Sequence, residues 1–192
     1  MNIQQKSSRG IELVPMDTHL MAQRRLFLAG EITSASALQL VQQLMVLKGQ
    51  DPEAPIDLYI SSPGGEVNAG LMIYDTLRSM TTPVNLYCLG MAASMAAILL
   101  AGGQKGRRFI LPHSKVMIHE PLISGGVGGS ASSIQRTAES IMETKRLTVE
   151  LMAADTGRTV EEVTKAVAFD NYMNAQEAVD FGICDRIVDA VV

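Results

Sequence analysis

The stretch VNLYCLGMAASMAAILLA (Val84–Ala101) decides the fold. Val84–Leu89 is apolar and rich in strand-forming types, so it reads as a buried strand; Gly90 supplies a turn, and Ser94–Ala101 is a run of small apolar residues suited to a buried helix. Leu86–Gly103 is uncharged over a length at the threshold for crossing a bilayer, and Lys105, Arg107 and Arg108 follow it. Its glycines and its serine break that run, and strand, turn and helix account for it better than a membrane span.

Working outward, the same rhythm recurs. Arg25–Ala29 reads as a strand, and Thr33 or Ser34 caps a helix through Lys48, with Leu38, Val41, Leu44 and Met45 at helical spacing and Gly49 ending it. Ile56–Ile60 is a strand, and after Pro63-Gly64-Gly65 a helix runs from about Val67 to Met80 until Pro83 breaks it. Arg108–Leu111 and Lys115–His119 continue the series. A long helix from about Ser132 to Asp155 stops at Gly157; Thr159 with Glu162, and Asn174 with Glu177, have capping-box spacing and start two more helices. Strands alternating with helices imply βαβ units and a mainly parallel sheet in an α/β fold. Residues 1–23 lack clear periodicity and read as a mobile or partner-ordered arm.

The bulk properties set limits. A chain of 192 residues, 47% hydrophobic and 19% charged, suits one globular domain with a real core. A net charge of −4 gives no footprint for nucleic acid. Cys88 and Cys184 match no metal spacing and read as buried, reduced thiols. The opening MNIQQKSSRGIELV has no continuous apolar core of a secretory signal, so a cytoplasmic location is expected.

Ser94 and His119 are the residues with the chemistry of interest. A serine hydroxyl is a poor nucleophile until an imidazole within hydrogen-bond reach takes its proton. Ser94 falls where a strand turns into a helix, a place that favours developing negative charge; the plainer reading is a helix N-cap. His119 ends the apolar run KVMIH, at the sheet edge where α/β sites gather, whereas His19 lies in the arm and His113 in a turn. Spacing alone does not choose a third member among the acidic residues downstream.

Four words, SPGGEVNAG (Ser62–Gly70), GMAASMAA (Gly90–Ala97), LPHSKVMIHEP (Leu111–Pro121) and FDNYMNAQEAVDFGICD (Phe169–Asp185), together resemble the Clp protease proteolytic-subunit family, from about Arg25 to Val188. The resemblance implies a crotonase-like (ClpP-type) α/β fold with a protruding handle helix, the handle region lying at about 125–156. It implies a serine endopeptidase that cuts unfolded polypeptides inside a chamber of stacked rings, a homo-heptamer pairing into a tetradecamer or mixing with a paralogous subunit. The partner would be an AAA+ unfoldase, which uses the ATP; no metal or cofactor of the chain's own, no nucleic acid and no membrane is implied.

By the same resemblance Ser94 is the nucleophile, His119 the base and Asp170 the orienting aspartate, whose plain alternative is a loop cap. The oxyanion donors would be the backbone amides of Gly65 and Met95. A strand before the handle would border the substrate groove, with Pro121 and Leu122 opening that edge. Tyr59 and Phe109 match the unfoldase-docking pocket. The chain departs from the family at Phe169, usually arginine, and at Asp57 and Ser79, where apolar or aromatic residues are common. Asp57 would then set an unpaired carboxylate in the docking wall. A ring subunit without active geometry, and an acyl-CoA enzyme of the same fold, are the rival readings.

Overall fold

The computed structural model describes residues 1–7, 10–123 and 125–191. Five strands, β3 (Arg25–Ala29), β4 (Ile56–Ser62), β5 (Val84–Ala93), β6 (Arg108–Ile110) and β9 (Arg186–Ile187), form a parallel sheet in that spatial order. The long β5 serves two neighbours. Its first half pairs with β6 through Leu86–Cys88, and its second half pairs through Met91–Ala93 with β7 (Lys115–Ile118). Strand β8 (Asn171–Met173) then adds antiparallel to β7. At the division Gly90 has φ 73, and its N–H donates to Ser114 Oγ at 2.8 Å while that hydroxyl donates to the Cys88 carbonyl at 3.1 Å. A buried serine thus satisfies the Gly90 N–H and gives a second donor to the Cys88 carbonyl, which also accepts from the Leu111 N–H at 3.2 Å.

Helices α2 (Ser34–Gln50), α3 (Val67–Ser79) and α4 (Met95–Ala101) are the crossovers and cover one side of the core. Ile56, Leu58, Ile60 and Leu86 are wholly buried beneath them, each contributing about 1.5–3 kcal/mol relative to exposure. Helix α5 (Ala131–Thr156) starts at Ser130, whose Oγ accepts from the Ser133 amide at 3.3 Å, and stops at left-handed Gly157. Its buried positions all lie between Thr148 and Asp155, so the first half projects as a handle. Helices α6 (Val160–Ala166) and α7 (Ala175–Phe181) both begin with the capping boxes expected from the sequence.

Several expectations are corrected. The arm is a regular structure: β1 (Asn2–Ser7) and β2 (Gly10–Pro15) pair antiparallel, and α1 (Met16–Ala22) follows. Its Ile11 and Leu13 face solvent, so no burial alternation marks it in the sequence. Helix α2 buries Ala37, Leu40, Leu44 and Leu47, while Leu38 and Met45 are exposed. Both sets satisfy helical spacing, because apolar residues occupy more than one face. The helix also passes through Gly49; Asp51 ends it by turning its carboxylate onto the Glu53 and Ala54 amides.

No strand forms among the described residues between β7 and α5. Gly125, Gly126 and Gly129 have φ of 87, 81 and 128, outside any regular ladder. The apolar stretch after Leu86 divides between β5 and α4, and among the described residues no helix is long and apolar enough to cross a membrane.

Candidate active site

Strand β5 delivers Ser94 to the edge of the sheet, where its N–H donates to the Met117 carbonyl of β7 at 2.8 Å. The next residue begins α4, so the chain must reverse its path at Ser94. It does so with φ 55 and ψ −122, a conformation that side-chain-bearing residues rarely adopt. Such a backbone costs about 1–3 kcal/mol and persists only where surrounding structure enforces it. Ser94 occupies the N-cap position, but its side chain caps nothing. The hydroxyl points instead to His119.

The Nε2 atom of His119 lies 2.8 Å from Ser94 Oγ. On the other side of the ring, Nδ1 is 3.3 Å from Asp170 Oδ1. The sheet explains the second contact. Strands β7 and β8 pair Val116 with Met173, Met117 with Tyr172 and Ile118 with Asn171, so the next pair in register is His119 with Asp170. Both contacts are satisfied when Nδ1 carries the proton and Nε2 accepts from the serine. The His119 side chain is 15% exposed and that of Asp170 is 62% exposed, so water screens the second contact more than the first.

The loop after β4 presses against this turn. Gly64 has φ 93, and a Cβ there would stand 2.7 Å from both Ala93 O and Ser94 Cβ. Gly65 has φ 154, and a Cβ there would meet Ile32 O at 2.1 Å. Ile32 donates to Gly64 O at 2.8 Å and accepts from Glu66 N at 2.9 Å, which fixes the loop on both sides of Gly65. The Gly65 and Met95 amides are not used in these bonds, and Met95 is the first helical residue, whose N–H has no partner within its own helix.

Residues beyond the sequence reading complete the site. Ile98, Ile118, Thr148, Val149, Met152 and Val167 line a cavity of about 10 Å³ beside Ser94 and His119. That volume holds about one water. Thr148, Val149 and Met152 come from the buried end of α5, and helical spacing over that segment is the signal that could have found them. Glu120 donates its N–H to Val167 O at 2.9 Å, and its carboxylate forms an ion pair with Lys145 of α5. The helix is thereby fastened to the residue after His119. Pro121 is partly exposed and Leu122 is 63% exposed on the strand-free segment that follows.

Tyr59 and Phe109 lie elsewhere, on the other face of the parallel sheet. Phe27, Tyr59, Tyr87 and Phe109 occupy the same register position on four adjacent strands, with ring centroids 4.9, 5.1 and 4.9 Å apart. Burial pushes the Tyr59 and Tyr87 hydroxyls above their ordinary range. Asp57, expected as an unpaired carboxylate, accepts a hydrogen bond from Asn85 Nδ2 at 2.8 Å. Asn85 Oδ1 in turn accepts from Arg107 at 2.9 Å. Ser79 lines an apolar groove of about 540 Å³ between α2 and α3 with Met45 and Met80. Cys88 and Cys184 are free and buried; burial pushes the Cys88 thiol up to about 12 and raises that of Cys184 as well.

The family model for Clp protease matches residues 8–191, nearly the whole chain. The chain belongs to the Clp protease family. Its mixed α/β architecture, with a parallel sheet and a projecting handle helix, is the ClpP-type fold. Members of the family are peptidases, generally of the serine type, that assemble into rings and work with AAA+ unfoldases.

Proposed function

We propose that the chain is a serine endopeptidase of the Clp type, a single peptidase domain over residues 1–192 that acts in the cytoplasm. The observation that carries this is the 2.8 Å contact between His119 Nε2 and Ser94 Oγ at a backbone turn held in a disfavoured conformation. His119 takes the Ser94 proton as Oγ attacks the scissile carbonyl to form a tetrahedral intermediate, and gives that proton to the amine as the C–N bond breaks and an acyl-enzyme is left. It then takes a proton from the water that hydrolyses the ester and frees Ser94. Asp170 holds the ring in the required tautomer and stabilises the imidazolium. The Gly65 and Met95 amides receive the oxyanion. Pro121 and Leu122 offer an extended edge to the substrate backbone, which suits low sequence preference.

The chain needs no metal or cofactor of its own in this scheme, nor nucleic acid or membrane. An AAA+ unfoldase consumes the ATP and docks on the aromatic row containing Tyr59 and Phe109. Seven copies close a ring and two rings stack into a tetradecamer that admits unfolded polypeptides. Labelling by a fluorophosphonate, followed by mapping of the modified residue, tests the reading: adduct on Ser94 supports it, and an unlabelled protein that still cleaves peptides sinks it.

A second reading is favoured by the 62% exposure of Asp170 and by the cavity beside Ser94, which at about 10 Å³ is too small for a substrate side chain. The subunit is then silent alone and becomes active only in an assembly, with its own kind or with a paralogous subunit. Probe labelling that tracks the ring fraction in a sedimentation gradient distinguishes this from autonomous activity.

A further inference from the structure

One cleft carries a charge opposite to that of the chain. The protein has a net charge of −4, yet Lys105, Arg107 and Arg186 converge on a cleft of about 450 Å³ whose floor is Tyr87 and Phe109. No carboxylate lines it. The acidic groups nearest in the strands are already engaged: Asp57 accepts from Asn85, and Asp185 is gripped by buried Arg108, with Arg108 NH2 2.6 Å from Oδ1 and the Nε and backbone N–H on Oδ2. The two arginines are held in place without being neutralised. Arg107 donates to the neutral amide of Asn85 at 2.9 Å, and the Arg186 guanidinium lies 4.8 Å from the centroid of Phe109, its register partner. Lys105 directs one of its three donors to the Asp155 carbonyl.

We propose that this cleft receives an acidic side chain of a partner's docking peptide, next to an apolar residue that sits on the aromatic row. The proposal rests on the docking reading given above and adds charge selection to it. Charge complementarity is the argument: three cations fixed around one opening favour a carboxylate, and fixed cations lose less freedom on binding than free ones. The apolar neighbour follows from continuity, because Tyr87 and Phe109 are the last two rings of the four-ring row. A nucleic acid fits less well. Phe27, at the other end of the row, is half-exposed and can receive a single apolar side chain, whereas Tyr87 and Phe109 are about 95% buried and offer no run of ring faces for successive bases to stack on.

The test uses the full chain and three labelled tetrapeptides, acetyl-Asp-Glu-Leu-Phe-amide, acetyl-Ser-Ser-Leu-Phe-amide and acetyl-Lys-Lys-Leu-Phe-amide, with binding read by fluorescence anisotropy at low ionic strength. The acidic peptide should bind tightest, by about tenfold over the serine peptide, and added salt should erase that margin. Arg107→Gln and Arg186→Gln should each reduce the margin, whereas Arg107→Lys and Arg186→Lys should retain most of it. Equal binding of the acidic and serine peptides overturns charge selection while leaving the docking reading intact. Failure of all three to bind removes both. Displacement of the acidic peptide by a short single-stranded DNA would overturn the proposal in favour of a nucleic-acid surface.

Discussion

Gly64 and Ser94 are packed so closely that a methyl group on Gly64 would sit 2.7 Å from the Ser94 Cβ. Two stretches of chain far apart in sequence therefore share one constraint. The glycine allows the loop after β4 to lie against the turn bearing the hydroxyl, and its φ of 93 allows the loop to bend there. Gly64→Ala should displace the Ser94 turn and reduce peptide turnover by about 100-fold, the scale expected when a reacting group shifts by about 1 Å. Gly128→Ala is the control, since nothing lies within 4 Å of a Cβ there and its φ is not in the left-handed region. Equal turnover by both variants would show that Gly64 does not position the serine.

Replacing Ser94 separates chemistry from backbone strain. Its side chain makes no capping bond, so Ser94→Ala loses no cap, but it keeps a Cβ at φ 55. Ser94→Gly removes both the hydroxyl and the steric conflict. Both variants should lose fluorophosphonate labelling and peptide hydrolysis, and the glycine variant should be the more stable by about 1 kcal/mol. Chemical denaturation measures the difference, and an alanine variant as stable as the glycine variant would mean that the turn is unstrained.

The two contacts of the His119 ring are unequal, and the kinetics should reflect it. His119→Ala removes the proposed base, so turnover should fall to within about tenfold of Ser94→Ala, and the double variant should be little worse than either. Asp170→Asn keeps the shape but favours the wrong tautomer. With Asp170 62% exposed and 3.3 Å from Nδ1, its loss should be smaller, about 10²- to 10³-fold. A double variant far below both singles would show that serine and histidine do not act as a unit.

The sequence carries the site's chemistry more openly than its geometry. Ser94 and His119 each stand at the end of an apolar strand, so their places at the sheet edge follow from local pattern. Asp170 stands beside His119 because β7 and β8 pair antiparallel in one register, which no local spacing encodes; only the family resemblance pointed to it. Helices with strong caps, such as those beginning at Thr159 and Asn174, were legible from four residues each. The buried face of α2 was not, because Leu38, Met45, Leu40 and Leu47 are equally apolar and only the sheet beneath decides which set is covered. The hairpin of the arm was hidden for the opposite reason: its order is backbone pairing, and its apolar Ile11 and Leu13 are exposed.

Arg108 and Asp185 make the stability of this fold depend on acid. The Arg108 side chain is 2% exposed, and its fork and backbone N–H hold the Asp185 carboxylate against β6. Burial alone would raise the Asp185 carboxyl, but the bonds and charge of Arg108 outweigh it and hold the group below its ordinary range. A carboxyl whose folded value is depressed adds stability that is complete above its unfolded value of about 4 and is lost as pH falls through the lower folded value. Asp185→Asn leaves the guanidinium buried without its counter-charge and should cost about 3–5 kcal/mol near neutral pH. The gap in stability between the native protein and Asp185→Asn should therefore be constant from neutral pH to about 5 and narrow below about 4. Urea unfolding across that range measures it, and a gap that stays constant into strong acid would show that Asp185 is not held ionised by Arg108.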